Sequence, residues 1–298
     1  MILVMVFKIF WMKKLFVMLG MSIFFFSFAA PTVNKHENLP DEKKFPSLLP
    51  EKTTSTNLAV RYMDSVYNRV NLGRTGLKKD VFYKAYKGYQ HLLNEGKINK
   101  PDILTIVDYS QSSKSRRFYV INLKTGRLLY NTYVSHGKNS GGEYANSFSN
   151  AHNSNKSSLG FMVTGNSYVG RAGYSLKLHG MENRYNSNVY GRGVVMHGSD
   201  YVNQNRADEG ANMGRSWGCP AVPQSLSREI INLLKDGSCF FVWGNNNDYA
   251  RSSNIVNAKV SWPGLRDMVE AENAKLAKTT PIKDNTNTDT KVQLSKLN

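Results

Sequence analysis

One of the two cysteines in this 298-residue chain lies in GRSWGCPAVP, residues 214–223, between a glycine and a proline. Pro220 lacks an N–H and restricts the residue before it, while Gly218 allows backbone conformations closed to other residues. Cys219 therefore belongs to neither a regular helix nor a central strand. Such a turn presents its thiol. A free thiol titrates near a pKa of about 8.5 and is only slightly ionised at neutral pH, so a cysteine nucleophile needs an imidazole within reach. Four histidines stand in the strand-rich part of the chain: His136, His152, His179 and His197. His197 ends the strand-like run GVVM and precedes Gly198. The polar segment SDYVNQNRADEGANMGRSWG that follows is long enough to bring Cys219 back to it. His179 and His136 also precede glycines at strand ends, so spacing alone gives a cysteine–histidine site without fixing the base. The group that would orient the imidazole is equally open, Asp200 and a backbone carbonyl both being candidates.

The elements around these residues follow from periodicity. Apolar positions recur at helical spacing through Leu58, Tyr62 and Val66, and again through Val81, Ala85, Tyr89 and Leu92, giving a small helical pair broken at Asn71-Leu72-Gly73. Strands are expected at ILTIVDYS, RRFYVINL, RLLYNTYV, GFMVTG, SLKLHG, GVVMHG and CFFVWG, the second and third joined as a hairpin across Lys124-Thr125-Gly126. SLSREIINLLKDG reads as an amphipathic helix stopped by Gly237. The sum is a mainly β, mostly antiparallel domain with flanking helices. Cys239, inside CFFVW, reads as a buried strand thiol rather than a disulfide partner, and nothing resembles a metal-ligand array.

After the first eleven residues, MILVMVFKIFW, come Met12-Lys13-Lys14, the apolar run LFVMLGMSIFFFSF and then Ala29-Ala30-Pro31, the pattern of a secretory signal cleaved after Ala29. Its loss removes three lysines and lowers the formal charge from +17 to +14. The remaining basic residues are dispersed rather than blocked, which points to an anionic cell envelope and away from nucleic acid. The expected organisation is a signal peptide (1–29), a flexible spacer (30–55), a helical segment (56–100), a catalytic domain (101–250) and a polar, disordered tail (251–298). The membrane enters only during export.

MHGSDYV followed by GRSWGCPAV resembles the catalytic signature of the L,D-transpeptidases, the YkuD-like cysteine enzymes that act on peptidoglycan. It is closest to the murein L,D-transpeptidase catalytic domain branch. The likeness continues upstream through RRFYVINL, VSHG, FSN, SSLGFMVTG and SLKLHGME, covering residues 101–245. It implies an L,D-transpeptidase-like β-sandwich preceded by the helical segment, with Cys219 as nucleophile and His197 as general base. Ser216 and Gly218 match the family motif. Trp217 stands where the wider family carries a second histidine, and Pro220-Ala221-Val222 where it tends to place an arginine.

The reaction implied needs no cofactor. Cys219 attacks the third residue of a peptidoglycan stem tetrapeptide, D-alanine leaves, and an amine accepts the acyl group in a 3→3 cross-link. The backbone N–H groups of Gly218 and Cys219 are the expected oxyanion donors. Arg192 and Arg215 are candidates for a substrate carboxylate, Tyr168, Ser216 and Trp217 for the groove, and Glu182 for a substrate amine, against an exposed loop carboxylate. An L,D-carboxypeptidase or endopeptidase on the same scaffold, and a non-catalytic peptidoglycan-binding module, are the alternative readings.

Overall fold

Apolar side chains three and four residues apart build the first two helices. In α1, Ser55–Arg69, the residues Ala59, Met63 and Val66 turn inward; in α2, Lys79–Asn94, Val81, Phe82, Ala85, Tyr89 and Leu92 do so. Between them the chain breaks at Asn71, whose φ of 61° is left-handed, and makes one short 3-10 turn, Leu72–Thr75. The computed structural model describes residues 55–279, Gly214 excepted. All of them fall in one compact unit, residues 50–298. The expected signal peptide, and the spacer but for Ser55, lie outside the described residues. Among the described residues no helix is long and apolar enough to cross a membrane.

The protein is mainly β with flanking helices. Its strands are β1 Ile103–Asp108, β2 Phe118–Asn122, β3 Arg127–Thr132, β4 Gly160–Gly170, β5 Gly173–Gly180, β6 Val195–Ser199, β7 Ala221–Pro223 and β8 Cys239–Trp243. They form one hydrogen-bonded sheet in the order β3-β2-β1-β8-β4-β5-β6-β7. Only the β1–β8 and β6–β7 pairings are parallel. β1 and β8 sit centrally and are buried at every position, which explains why they read as continuous apolar runs. Helix α2 covers this centre. A short α3, Gln204–Asp208, lies in the loop after β6, and α4, Gln224–Leu234, packs Ile230, Ile231 and Leu234 beneath β6 and β7.

Two elements depart from the sequence expectation. β7, only three residues and ending in a proline, is too short to show a period. The segment expected to be a disordered tail, 251–298, is partly helical over its described residues, which run to Thr279; residues 280–298 lie outside them. It carries α5, Asn247–Ser252, and α6, Leu265–Thr279, which runs along α1. Its polar composition concealed three anchors. Ser253 donates to Glu182, Trp262 stacks on Tyr86 with ring centroids 6.0 Å apart, and buried Glu272 pairs with Arg69.

Candidate active site

The parallel ladder between β6 and β7 sets the geometry. It pairs His197 with Ala221, so the cysteine two residues before Ala221 meets the start of β6. There the Val195 N–H donates to Cys219 Sγ at 3.4 Å, and the thiol points to the Gly193 carbonyl at 3.8 Å. Val195 precedes His197 by two residues, one strand repeat, so the residue touching sulfur and the histidine share a face of β6. Among the described residues no hydrogen bond joins Sγ to the imidazole directly. Helix α4 fixes the strand immediately after the histidine. A side chain at Gly198 would collide with Gln224 and Ser227, so only glycine lets the helix approach there.

His197 Nδ1 lies 2.8 Å from the Gly198 carbonyl. A carbonyl only accepts, so Nδ1 carries a proton, and in the neutral ring the lone pair falls on Nε2, the tautomer a general base requires. Asp200 is exposed and is not the group that meets the ring. The other three histidines stand in different settings. His152 and His179 are exposed, the latter stacked on Tyr190. His136 is fully buried; Arg117 donates to its Nδ1 at 2.8 Å, and its Nε2 faces the Gly141 carbonyl at 3.3 Å.

Cys219 is half-buried, and burial pushes its thiol above the ordinary range. The Val195 N–H and the Arg192 charge oppose that rise without overcoming it. The resting sulfur is therefore a neutral thiol that needs a base. Its turn is built around Gly218, whose φ of 117° excludes side chains and whose missing Cβ would sit 2.7 Å from the Lys156 carbonyl.

Several expected roles change in this geometry. Ser216 does not face the groove: it is buried, donates to the Cys219 carbonyl at 2.6 Å and accepts from the Gly218 N–H at 3.1 Å, clasping the turn. That bond occupies one of the two expected oxyanion donors. The Cys219 N–H has no protein acceptor among the described residues. Arg192 does not present a free fork to a carboxylate. Its two terminal nitrogens bond the carbonyls of Ser149 and Lys156 and the hydroxyls of Ser158 and Ser154, at 2.6–3.1 Å. Glu182 is neither exposed nor available to a substrate amine: it accepts from the Phe161 N–H and from Tyr249 and Ser253. Arg215 is exposed and leans toward the Lys138 and Gly141 carbonyls at 3.4 and 3.3 Å.

Trp217 projects outward, 64% exposed. Tyr168 lines a cleft of about 310 Å³ together with Lys177, Tyr190 and the residues Gly193 and Val195 that contact the sulfur. A larger hollow of about 580 Å³, bordered by Leu58, Trp262 and Leu265, holds neither cysteine nor histidine. The residue missed from sequence is Arg117; with His136, which stood among the candidate bases and has a structural place instead, it seats the cysteine loop. The His136 carbonyl accepts from the Ser216 N–H at 3.0 Å, and the Lys138 N–H donates to the Ser216 carbonyl at 2.7 Å. The available signal was the pair Arg116-Arg117 opening a strand, where alternation turns one of the two inward.

Residues 74–243 match a family model described as the L,D-transpeptidase catalytic domain. That is more than half of the chain, which therefore belongs to this family. No curated protein matches the sequence. Among solved structures, the chain is similar to an L,D-transpeptidase from Mycobacterium smegmatis, with 12% identity, a TM-score of 0.31, and coverage of 48% of this chain and 59% of that one. It is similar as well to L,D-transpeptidase 1 of Mycobacterium tuberculosis, with 14% identity, a TM-score of 0.27, and coverage of 48% and 62%. A third, residues 123–326 of the L,D-transpeptidase from Xylanimonas cellulosilytica, shows 12% identity, a TM-score of 0.28, and coverage of 60% and 93%. The matches span about three fifths of the two mycobacterial chains.

Proposed function

We propose that this protein is an exported cysteine L,D-transpeptidase of peptidoglycan, with Cys219 as nucleophile and His197 as its base. The observation that carries this reading is the β6–β7 register, which sets the thiol against the residue two before a histidine whose Nδ1 is held by the Gly198 carbonyl. The neutral Nε2 takes the thiol proton as sulfur attacks the carbonyl of the third stem residue. The tetrahedral oxyanion faces the Cys219 N–H. Collapse breaks the peptide bond, and the imidazolium returns its proton to the leaving amine of D-alanine. An acceptor amine then attacks the thioester, loses its proton to His197, and releases the thiol with a new amide. Cleavage after Ala29 places the enzyme in the periplasm or cell envelope.

The test is covalent. A carbapenem, whose strained amide acylates an activated sulfur, is expected to add its full mass to the purified chain by intact mass spectrometry, and Cys219→Ala is expected to remove the adduct. An adduct that survives the substitution overturns the assignment. Incubation with muropeptides then distinguishes cross-linked dimers, expected here, from free tripeptide and D-alanine alone, the products of a carboxypeptidase.

A further inference from the structure

Three cations, Lys138 in the loop after β3 and Arg171 and Lys177 on the β4–β5 hairpin, stand against the Trp217 ring and the neighbouring cleft without an acidic partner. Lys138 Nζ lies 5.4 Å and Arg171 Cζ 5.6 Å from the centre of the Trp217 ring, two residues before Cys219. Lys177 Nζ lies between two further rings, 5.4 Å from Tyr168 and 5.7 Å from Tyr190, in the wall of the cleft lined by Gly193 and Val195, the residues that contact the sulfur. Among the described residues none of the three forms an ion pair, and none of their side-chain N–H groups has a protein acceptor. Arg215 adds a fourth positive charge on the same loop.

Gathering like charges on one rim works against folding unless something anionic visits them. The aromatic faces restrain the three cations without neutralising them, so their donors stay directed outward. Arg192, the residue expected to meet a carboxylate, is instead tied to the loop beneath. Of this outer set Lys177 lines the cleft itself, and Lys138 and Arg171 stand over Trp217 on the cysteine loop.

We infer that Lys138, Arg171 and Lys177 form a carboxylate-binding rim, which docks a donor peptide through its free carboxylates and discriminates against the amidated form. This rests on Cys219 being the residue acylated. The rim acts on docking alone: it touches no reacting atom, and its loss raises KM rather than lowering kcat.

The experiment uses full-length Cys219→Ala chain, so that binding is measured without turnover. Calorimetry compares a synthetic stem tetrapeptide with all carboxylates free against the same peptide fully amidated. The free peptide is expected to bind at least about tenfold tighter, and the advantage to shrink as salt rises. Lys177→Gln, and Lys138→Gln with Arg171→Gln, are each expected to weaken the free peptide about fivefold and leave the amidated one unchanged, with Lys177→Arg and Arg171→Lys restoring affinity. Equal binding of the two peptides overturns the rim without any substitution. Unchanged affinity in the Gln variants overturns it too. The carbapenem adduct on the unsubstituted chain, followed in parallel, separates the two readings. Its absence defeats the catalytic assignment, whereas its presence alongside carboxylate-independent binding defeats the rim alone.

Discussion

In the proposed mechanism Cys219 and His197 divide the work between a thiol whose pKa is raised by burial and a ring held by one carbonyl. Because burial pushes the thiol up, few molecules carry a ready thiolate at neutral pH, and the rate depends on proton removal. His197→Gln is therefore expected to slow carbapenem acylation by about 10²–10⁴-fold, the usual range for a general base, with much of the loss recovered at high pH as the thiol ionises unaided. Stopped-flow acylation across pH checks this; a variant as fast as the parent removes His197 from the mechanism. At this scale the sequence was partly legible. Gly218 and Pro220 bracket the cysteine with conformational restrictions that can be read directly from residue type. The occupied guanidinium of Arg192 could not be read so, because its partners stand 34 to 43 residues away and no local pattern announces them. The inward turn of Ser216 closes on Cys219 only three residues on, but its backbone is seated by the distant His136 carbonyl.

Elements seat these residues through buried polar ties. Arg117, at the start of β2, donates to His136, whose backbone carries the cysteine loop. Burial and the neighbouring guanidinium hold the His136 imidazole down to about 4. Its folded value lies below its unfolded value near 6.5, so the unfolded chain binds the extra proton first. This part of the stability is complete above about pH 6.5 and fades as pH falls toward 4, by about 3 kcal/mol in all. Glu182, raised by burial, acts in the opposite sense near its own range, so the comparison with His136→Gln isolates the histidine. Thermal melts from neutral pH downward are expected to decline less steeply in that variant.

Helix α6 is tied by a different contact. Arg69→Ala leaves Glu272, only 2% exposed, with Lys275 at 3.9 Å as its remaining partner, and is expected to cost up to about 3 kcal/mol by denaturant melts. Arg69→Met with Glu272→Leu is expected to recover most of that. A recovery no better than the single variant would show that the pair does not anchor α6. These elements were unevenly legible. β1 and β8 as apolar runs and α4 by its period are long enough to read, whereas β7 is too brief and α6 meets α1 through the charged Arg69–Glu272 pair, which no apolar period announces.

At the scale of the whole molecule the proposed site lies at one edge of the sheet. His197 lies on β6 and Cys219 in the turn that leads into the neighbouring β7, yet the chain between them leaves the edge, forms α3 and returns. Hydrogen-bond register, and not the contour of that excursion, fixes their separation. The return is anchored by Val202 and Met213, buried with Tyr133 and Ala221, while Gly210 stands in open space at its tip. Four residues inserted between Glu209 and Gly210 are thus expected to change acylation by no more than about twofold, since lengthening a surface loop carries only a small entropic cost. A larger loss would show that the excursion itself shapes the site. The distance in sequence from histidine to cysteine is then free to drift among relatives without disturbing the reaction, and a motif that counts residues across this gap would overlook chains in which the same two strands still lie side by side.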